Sequence, residues 1–194
     1  MYLRRMAGIF LVALGLCGTL LAGTIDLGIS GPGMINDSTV RVGEPVSVDI
    51  YVENDSVFTG FTFGFRVMSD DVAEIVHVAD SGKGLNPGGD IKGHNGWEDH
   101  SIWNFGGVYA VTTDWNSRLP DTIGFGGLSV QQNYKPHQRM KVLSFEIVVP
   151  EAGTVVVDSS YFPPGGKWMF ATPDPSQVHF PEFRGALRFK AVTK

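Results

Sequence analysis

The stretch Ser47–Val67, SVDIYVENDSVFTGFTFGFRV, decides the fold class. In Val46, Val48, Ile50 and Val52 every even position is apolar, with Ser47, Asp49, Tyr51 and Glu53 between them. This two-residue period marks a half-buried strand. Asn54-Asp55-Ser56 is a turn cluster. Beyond it Phe61, Phe63, Phe65 and Val67 share one face, with Thr62, Gly64 and Arg66 on the other. Two successive strands, each with one oily face, must press that face against a second layer. The three phenylalanines are therefore read as core, buried with Val48 and Ile50 and with the apolar face of a later strand, Leu143, Phe145 and Ile147.

Working outward, Val72, Val76 and Val78 suggest a third strand, and Val108–Thr113 and Thr122–Val130 two more. Gly124, Gly126 and Gly127 weaken the last of these. Leu143, Phe145, Ile147 and Val149 alternate with Val142, Ser144, Glu146 and Val148. Thr154–Val157 is β-branched, and Leu187, Phe189 and Ala191 alternate with Arg188 and Lys190. Thr39–Val42 is expected to open the domain. The 25 Gly and 11 Pro supply turns between these runs. Seven to ten strands so spaced predict an all-β, antiparallel two-sheet sandwich, immunoglobulin-like in its layering. Ser81–Leu119, which holds Trp97, Trp103 and Trp115, is expected to contain at least one strand plus long loops, and Tyr161–Pro181, with PPGG at Pro163–Gly166, is expected to be irregular.

The 194 residues suffice for one domain with a sizeable core. Residues 1–23 read as an export signal, in which Arg4 and Arg5 precede an apolar run from Ala7 to Ala22. That run is shorter than the roughly 20 residues of a membrane span. Residues 24–194 form the expected mature domain, secreted or held at the cell surface and without a membrane span. Cys17, the sole cysteine, falls within the leader, so the mature domain has no disulfide, thiolate metal site or cysteine nucleophile. Without Arg4 and Arg5, 13 basic residues stand against 20 acidic ones, a net charge of about −7. That balance argues against a non-specific nucleic-acid partner, which needs a basic face.

Several segments, taken in order, resemble a cohesin-type domain: Gly43-Glu44-Pro45-Val46, Gly60-Phe61-Thr62-Phe63, Asp70-Asp71-Val72, Val76-His77-Val78 ahead of Gly82, and later Val142-Leu143-Ser144-Phe145-Glu146-Ile147. The resemblance covers about half of the mature chain. It implies a nine-strand jelly-roll sandwich, a fold shared by cohesins and some carbohydrate-binding modules. It also implies an extracellular, non-enzymatic role, with dockerins bound through a sheet face in cohesins and polysaccharide bound through aromatic rows in the related modules. Ser81–Leu119 is richer in tryptophan and glycine than the middle of a typical cohesin. No D-x-[DN]-x-[DN]-G calcium loop of the dockerin kind is present.

Catalytic motifs are absent: there is no G-x-x-x-x-G-K-[ST], H-E-x-x-H or G-x-G-x-x-G. Gly127-Leu128-Ser129-Val130-Gln131 has Gln where a serine elbow needs its second glycine. His94-Asn95-Gly96-Trp97-Glu98-Asp99-His100 is the densest polar cluster, but its spacing requires no metal. Asp70, Asp71, Asp80 and Asp90 are turn formers, with a structural calcium site among them as the competing reading. No cofactor is called for. Glu98, Asp99 and Asp114 are the carboxylates a glycoside hydrolase would use. Asn36-Asp37-Ser38 and Asn54-Asp55-Ser56 match glycosylation sequons and equally fit turns. Tryptophans carry the stronger signal, because sugar rings stack on flat aromatic faces. Trp97, Trp115, Trp103 and Tyr109 are the candidate platform, and Asn95, Asp99 and Asn104 the hydrogen-bonding residues around it. The reading is a non-enzymatic binding domain whose partner is a polysaccharide or an extracellular protein. A structural or assembly component of a cell surface, using a sheet edge, is the alternative, followed by a hydrolase.

Overall fold

Fourteen strand segments build two sheets in a computed structural model that describes residues 23–80, 106–113, 118–129, 135–161, 168–174 and 177–193. The five-stranded sheet runs β13 (Glu182–Phe183), β1 (Gly23–Ser30), β4 (Pro45–Asn54), β9 (His137–Val148), β6 (Val76–Asp80). The nine-stranded sheet is centred on β5 (Gly60–Met68). One edge of β5 carries β8 (Asp121–Ser129), which in turn pairs with β7 (Gly106–Thr113). The other edge is shared by β10 (Gly153–Ser160), along Gly64–Met68, and β11 (Met169–Ala171), along Gly60–Thr62. From β10 the sheet continues through β14 (Leu187–Val192) and β3 (Thr39–Arg41) to β2 (Met34–Asn36), while β12 (Val178–His179) pairs with β11.

The expected core is the observed core. Phe61, Phe63, Phe65, Val48, Ile50, Leu143, Phe145 and Ile147 are all buried in one cluster. The two sheets meet where Phe125 of β8 faces Phe145 of β9, with ring centroids 6.0 Å apart. Each such ring contributes about 1.5–3 kcal/mol by leaving water.

Four expectations need correcting. The sheets are mixed: β1 pairs with β13, and β14 with β3, in parallel. The domain opens with β1 rather than at Thr39. All eight β1 residues pair antiparallel with β4, and Ile25 and Ile29 are buried. The stretch Tyr161–Pro181 is not wholly irregular, since it contains β11 and β12. Val142 does not face out: a bulge opposite Ile50 and Tyr51 lets both Val142 and Leu143 point inward.

The glycines of β8 do not end the strand. Gly124 pairs with Gly64 of β5, and Gly126 with Thr62. Gly64 itself has no room for a side chain, because a Cβ there would meet the main-chain oxygens of Tyr161 and Ser160. The turn clusters also find their roles. The Asn54 amide Nδ2 donates to the Ser56 and Lys135 carbonyls at 2.9 and 3.1 Å, and Asn54 is buried. That sequon is therefore a structural turn. The exposed Asn36 accepts from the Ser38 N–H at 3.0 Å, an Asx turn. Asp71 accepts from the Thr154 N–H at 3.1 Å, a bond to the start of β10, while the local turn is closed by the Ser69 hydroxyl, which accepts from the Asp71 and Val72 N–H groups.

Candidate functional site

Of the aromatic platform read from the sequence, Tyr109 lies in β7, opposite Gly126 of β8. Trp97, Trp103, Trp115, Asn95, Asp99 and Asn104 lie outside the described residues, as do Glu98, Asp114, His94, His100 and Asp90. The described part of the molecule offers two sheet faces and one aromatic groove.

On the outer face of the five-stranded sheet two arginines and a lysine each hold a carboxylate. Arg139 on β9 grips Asp26 on β1 through two bonds, Nε at 2.7 Å and an Nη at 2.8 Å. Arg184, just past β13, reaches Glu53 at 2.9 Å and Asp26 at 3.5 Å. Lys141 meets the buried Asp49 at 2.7 Å, and the Ser47 hydroxyl donates to the same carboxylate at 2.8 Å. The Arg139 guanidinium lies 3.9 Å from the centroid of the Tyr51 ring. Tyr51 in turn lies across Gly28, where a Cβ would come within 3.1 Å of its Cε2. Burial first, then the Asp49 carboxylate, raises the Tyr51 phenol above its ordinary pKa. The hydrogen bond to Asp26 raises the Arg139 guanidinium. Arg139, Lys141 and Arg184 are thus all engaged, whereas Glu146 and Glu182 of the same sheet are in no ion pair among the described residues.

The outer face of the nine-stranded sheet is built differently. Odd positions of β5 face the core, so Thr62, Gly64, Arg66 and Met68 face out. Register then sets Met68, Val156 and Arg188 side by side across β5, β10 and β14, with Thr154 beside Lys190 one step along. Met68 and Val156 form a half-buried apolar centre. Arg188 and Lys190 are exposed, and no ion pair among the described residues involves either. Met68, Asp71, Val156, Asp158 and Arg188 line an open depression of about 450 Å³.

The groove lies where β10 departs from β5 and β11 takes its place. Trp168 sits at this gap. Its indole N–H donates to the Gly64 carbonyl at 2.8 Å and the Ser160 carbonyl at 2.7 Å. Its ring packs against Phe65 at 4.9 Å, Phe183 at 5.0 Å and Phe63 at 5.9 Å. Arg66, Ser159, Ser160, Tyr161, Trp168, Pro181 and Phe183 line a groove of about 510 Å³. The sequence reading misses Trp168 as a site residue because Pro163–Gly166 directly before it signals only a loop.

Two packed sheets around a core of alternating valines and phenylalanines define a β-sandwich, and its fold is that of cohesin modules. Among solved structures, a type II cohesin domain from the cellulosome of Acetivibrio cellulolyticus superposes with a TM-score of 0.58 at 16% identity, over 87% of this chain and 95% of that one. The cohesin module of a Clostridium perfringens family 33 glycoside hydrolase gives 0.54 at 8% identity, over 90% and 98%. A type I cohesin from Clostridium thermocellum, solved in complex with its dockerin, gives 0.50 at 9%, over 88% and 99%. At these identities the fold is what is shared. No family model and no curated protein matches the chain by sequence.

Proposed function

We propose that this chain is a protein-binding module that docks its partner on the outer face of the nine-stranded sheet. The observation that carries the reading is the contrast between the two faces. On the five-stranded face Arg139, Lys141 and Arg184 each hold a carboxylate, whereas Arg188 and Lys190 stand outside any ion pair among the described residues, beside the apolar centre of Met68 and Val156. An apolar centre with a charged rim is the anatomy of a protein interface, and open cations favour a partner that brings carboxylates. The fold supports the same reading, since a structural neighbour was solved in complex with a dockerin. A binding module of this kind is no enzyme and requires no cofactor. Export fits the reading, with residues 1–23 as leader and the domain working outside the cell or at its surface, as expected of a relative in fold of cellulosome modules. A polysaccharide partner is the second reading, favoured by the groove at Trp168.

The test is binding of a panel of dockerin modules and of the producing organism's secreted proteins, followed by the double variant Arg188→Glu/Lys190→Glu. The expected result is a saturable partner whose affinity falls at least tenfold in the double variant while the fold is kept. A partner that binds the double variant as tightly as the wild type would place docking on another surface.

A further inference from the structure

Exposed large apolar side chains are few among the described residues: Ile35, Val76, Tyr161, Val178 and Phe180. Of the five, Tyr161 lines the Trp168 groove, and Phe180 directly precedes Pro181, which also lines it. Tyr161 is 65% exposed and Phe180 54%. An exposed aromatic ring beside a groove is a feature of binding surfaces.

The groove's chemistry narrows the ligand. It is an open groove of about 510 Å³. That is a size typical of small-ligand clefts. One wall is aromatic and stiff: Trp168 is held by two hydrogen bonds and three neighbouring rings, so its plane is fixed before any ligand arrives. Fixed aromatic planes suit a ring with one apolar face and hydroxyls around its rim. Ser159 and Ser160 supply hydroxyls beside that wall. Arg66 is the one charged residue among those lining the groove. It is exposed, and no ion pair among the described residues involves it. Its cross-strand neighbour Asp158 instead turns Oδ1 to the Ser159 N–H at 2.7 Å. A planar fork of donors left open beside an aromatic wall matches a carboxylate carried on a sugar ring.

We propose that the groove formed by Tyr161, Trp168 and Phe183 binds a short acidic saccharide of the uronic-acid class, with a sugar ring against the aromatic wall and its carboxylate on Arg66. The groove shares no lining residue with the depression at Met68, Val156 and Arg188, so the site stands or falls independently of the protein-docking face.

The test titrates the purified protein with oligogalacturonates and oligomers of alginate, and with neutral cello- and xylo-oligosaccharides, by calorimetry and by NMR of the Trp168 indole N–H. Saturable binding of an oligouronate that shifts the Trp168 resonance is expected, with neutral sugars at least tenfold weaker. Tyr161→Ala should weaken uronate binding tenfold or more. Arg66→Gln should bring acidic and neutral sugars to similar affinity, and Arg188→Gln should change neither. Three outcomes overturn the proposal: no uronate binding, binding that leaves the Trp168 indole resonance unmoved, or neutral sugars bound as well as acidic ones by the wild type. The NMR observation is made on the wild type, so it decides even if a variant folds poorly.

Discussion

Phe63 offers the most direct test of the packing. Its side chain is fully buried at the centre of β5. It stacks on Phe61 with centroids 4.7 Å apart, meets Phe170 edge-on at 5.7 Å and lies 5.9 Å from Trp168. Replacement by alanine removes a large apolar surface and leaves a cavity walled by other rings. The neighbours come from three segments, β5, β11 and Trp168, each tied by its own hydrogen bonds, so collapse into the space is limited. Phe→Ala at such sites costs about 3–5 kcal/mol. For a domain of this size each kcal/mol lowers the melting temperature by about 2–4 °C, which gives an expected fall of about 6–20 °C. Differential scanning calorimetry or far-UV circular dichroism measures it. Tyr161→Ala is the matched control, an aromatic of similar size but mostly exposed. Its loss should change stability by no more than about 0.5 kcal/mol. A Phe63→Ala protein melting within 2 °C of wild type would show that the ring is not core, and the two-layer reading of β5 would fail with it.

Two other substitutions probe the sheets. Gly64→Ala must push a methyl group against the Tyr161 and Ser160 main chain. A destabilisation of about 1–3 kcal/mol by denaturant titration is expected; a neutral result would mean that β10 does not lie this close to β5. Tyr51 gives a pH dependence. Its native pKa is raised. In alkali the unfolded phenol, with a pKa of about 10, therefore ionises before the native one. The stability this proton carries is intact below about pH 10 and is lost as pH rises through the higher native value. Tyr51→Phe should shallow the decline in melting temperature above about pH 10, and identical slopes in the two proteins would count against the shift.

How much of this is legible in the residues differs from strand to strand. β4, β5 and β9 announce themselves because each buries one face only, so burial prints an alternation into the sequence. β1 escapes the sequence reading for two reasons. Its apolar positions Ile25, Leu27 and Ile29 lie close behind the apolar run of residues 7–22, and Gly28 stands among them to make room for Tyr51, a cause visible only once the strands are paired. The glycines of β8 weaken the strand reading, yet all three take ladder positions between β5 and β7. Parallel pairing of β13 and β14 depends on partners near the other end of the chain and leaves no local periodicity. On the functional side, aromatic content draws attention to Trp97, Trp103 and Trp115, whereas the groove among the described residues is organised by Trp168. Its two carbonyl acceptors are main-chain atoms, which any residue type supplies, so no side-chain pattern could have pointed to them. Likewise, whether a cation is paired is a property of the fold: Arg139 and Arg188 look alike as letters.

The parallel pairings have a mechanical consequence. β1 lies alongside β13, supported by the Arg184 N–H to Ile25 carbonyl bond at 2.9 Å. β14 lies alongside β3, flanked by the Lys190 N–H to Ser38 carbonyl bond at 2.9 Å and the Val42 N–H to Val192 carbonyl bond at 3.0 Å. A tensile force applied at Gly23 and at Val192 pulls these neighbours in opposite directions along their own axes. The ladder bonds then carry the force side by side and must rupture together, instead of opening one after another as in a hairpin peeled from its end. A pull between these two positions therefore loads the domain in shear, the direction in which short ladders resist most.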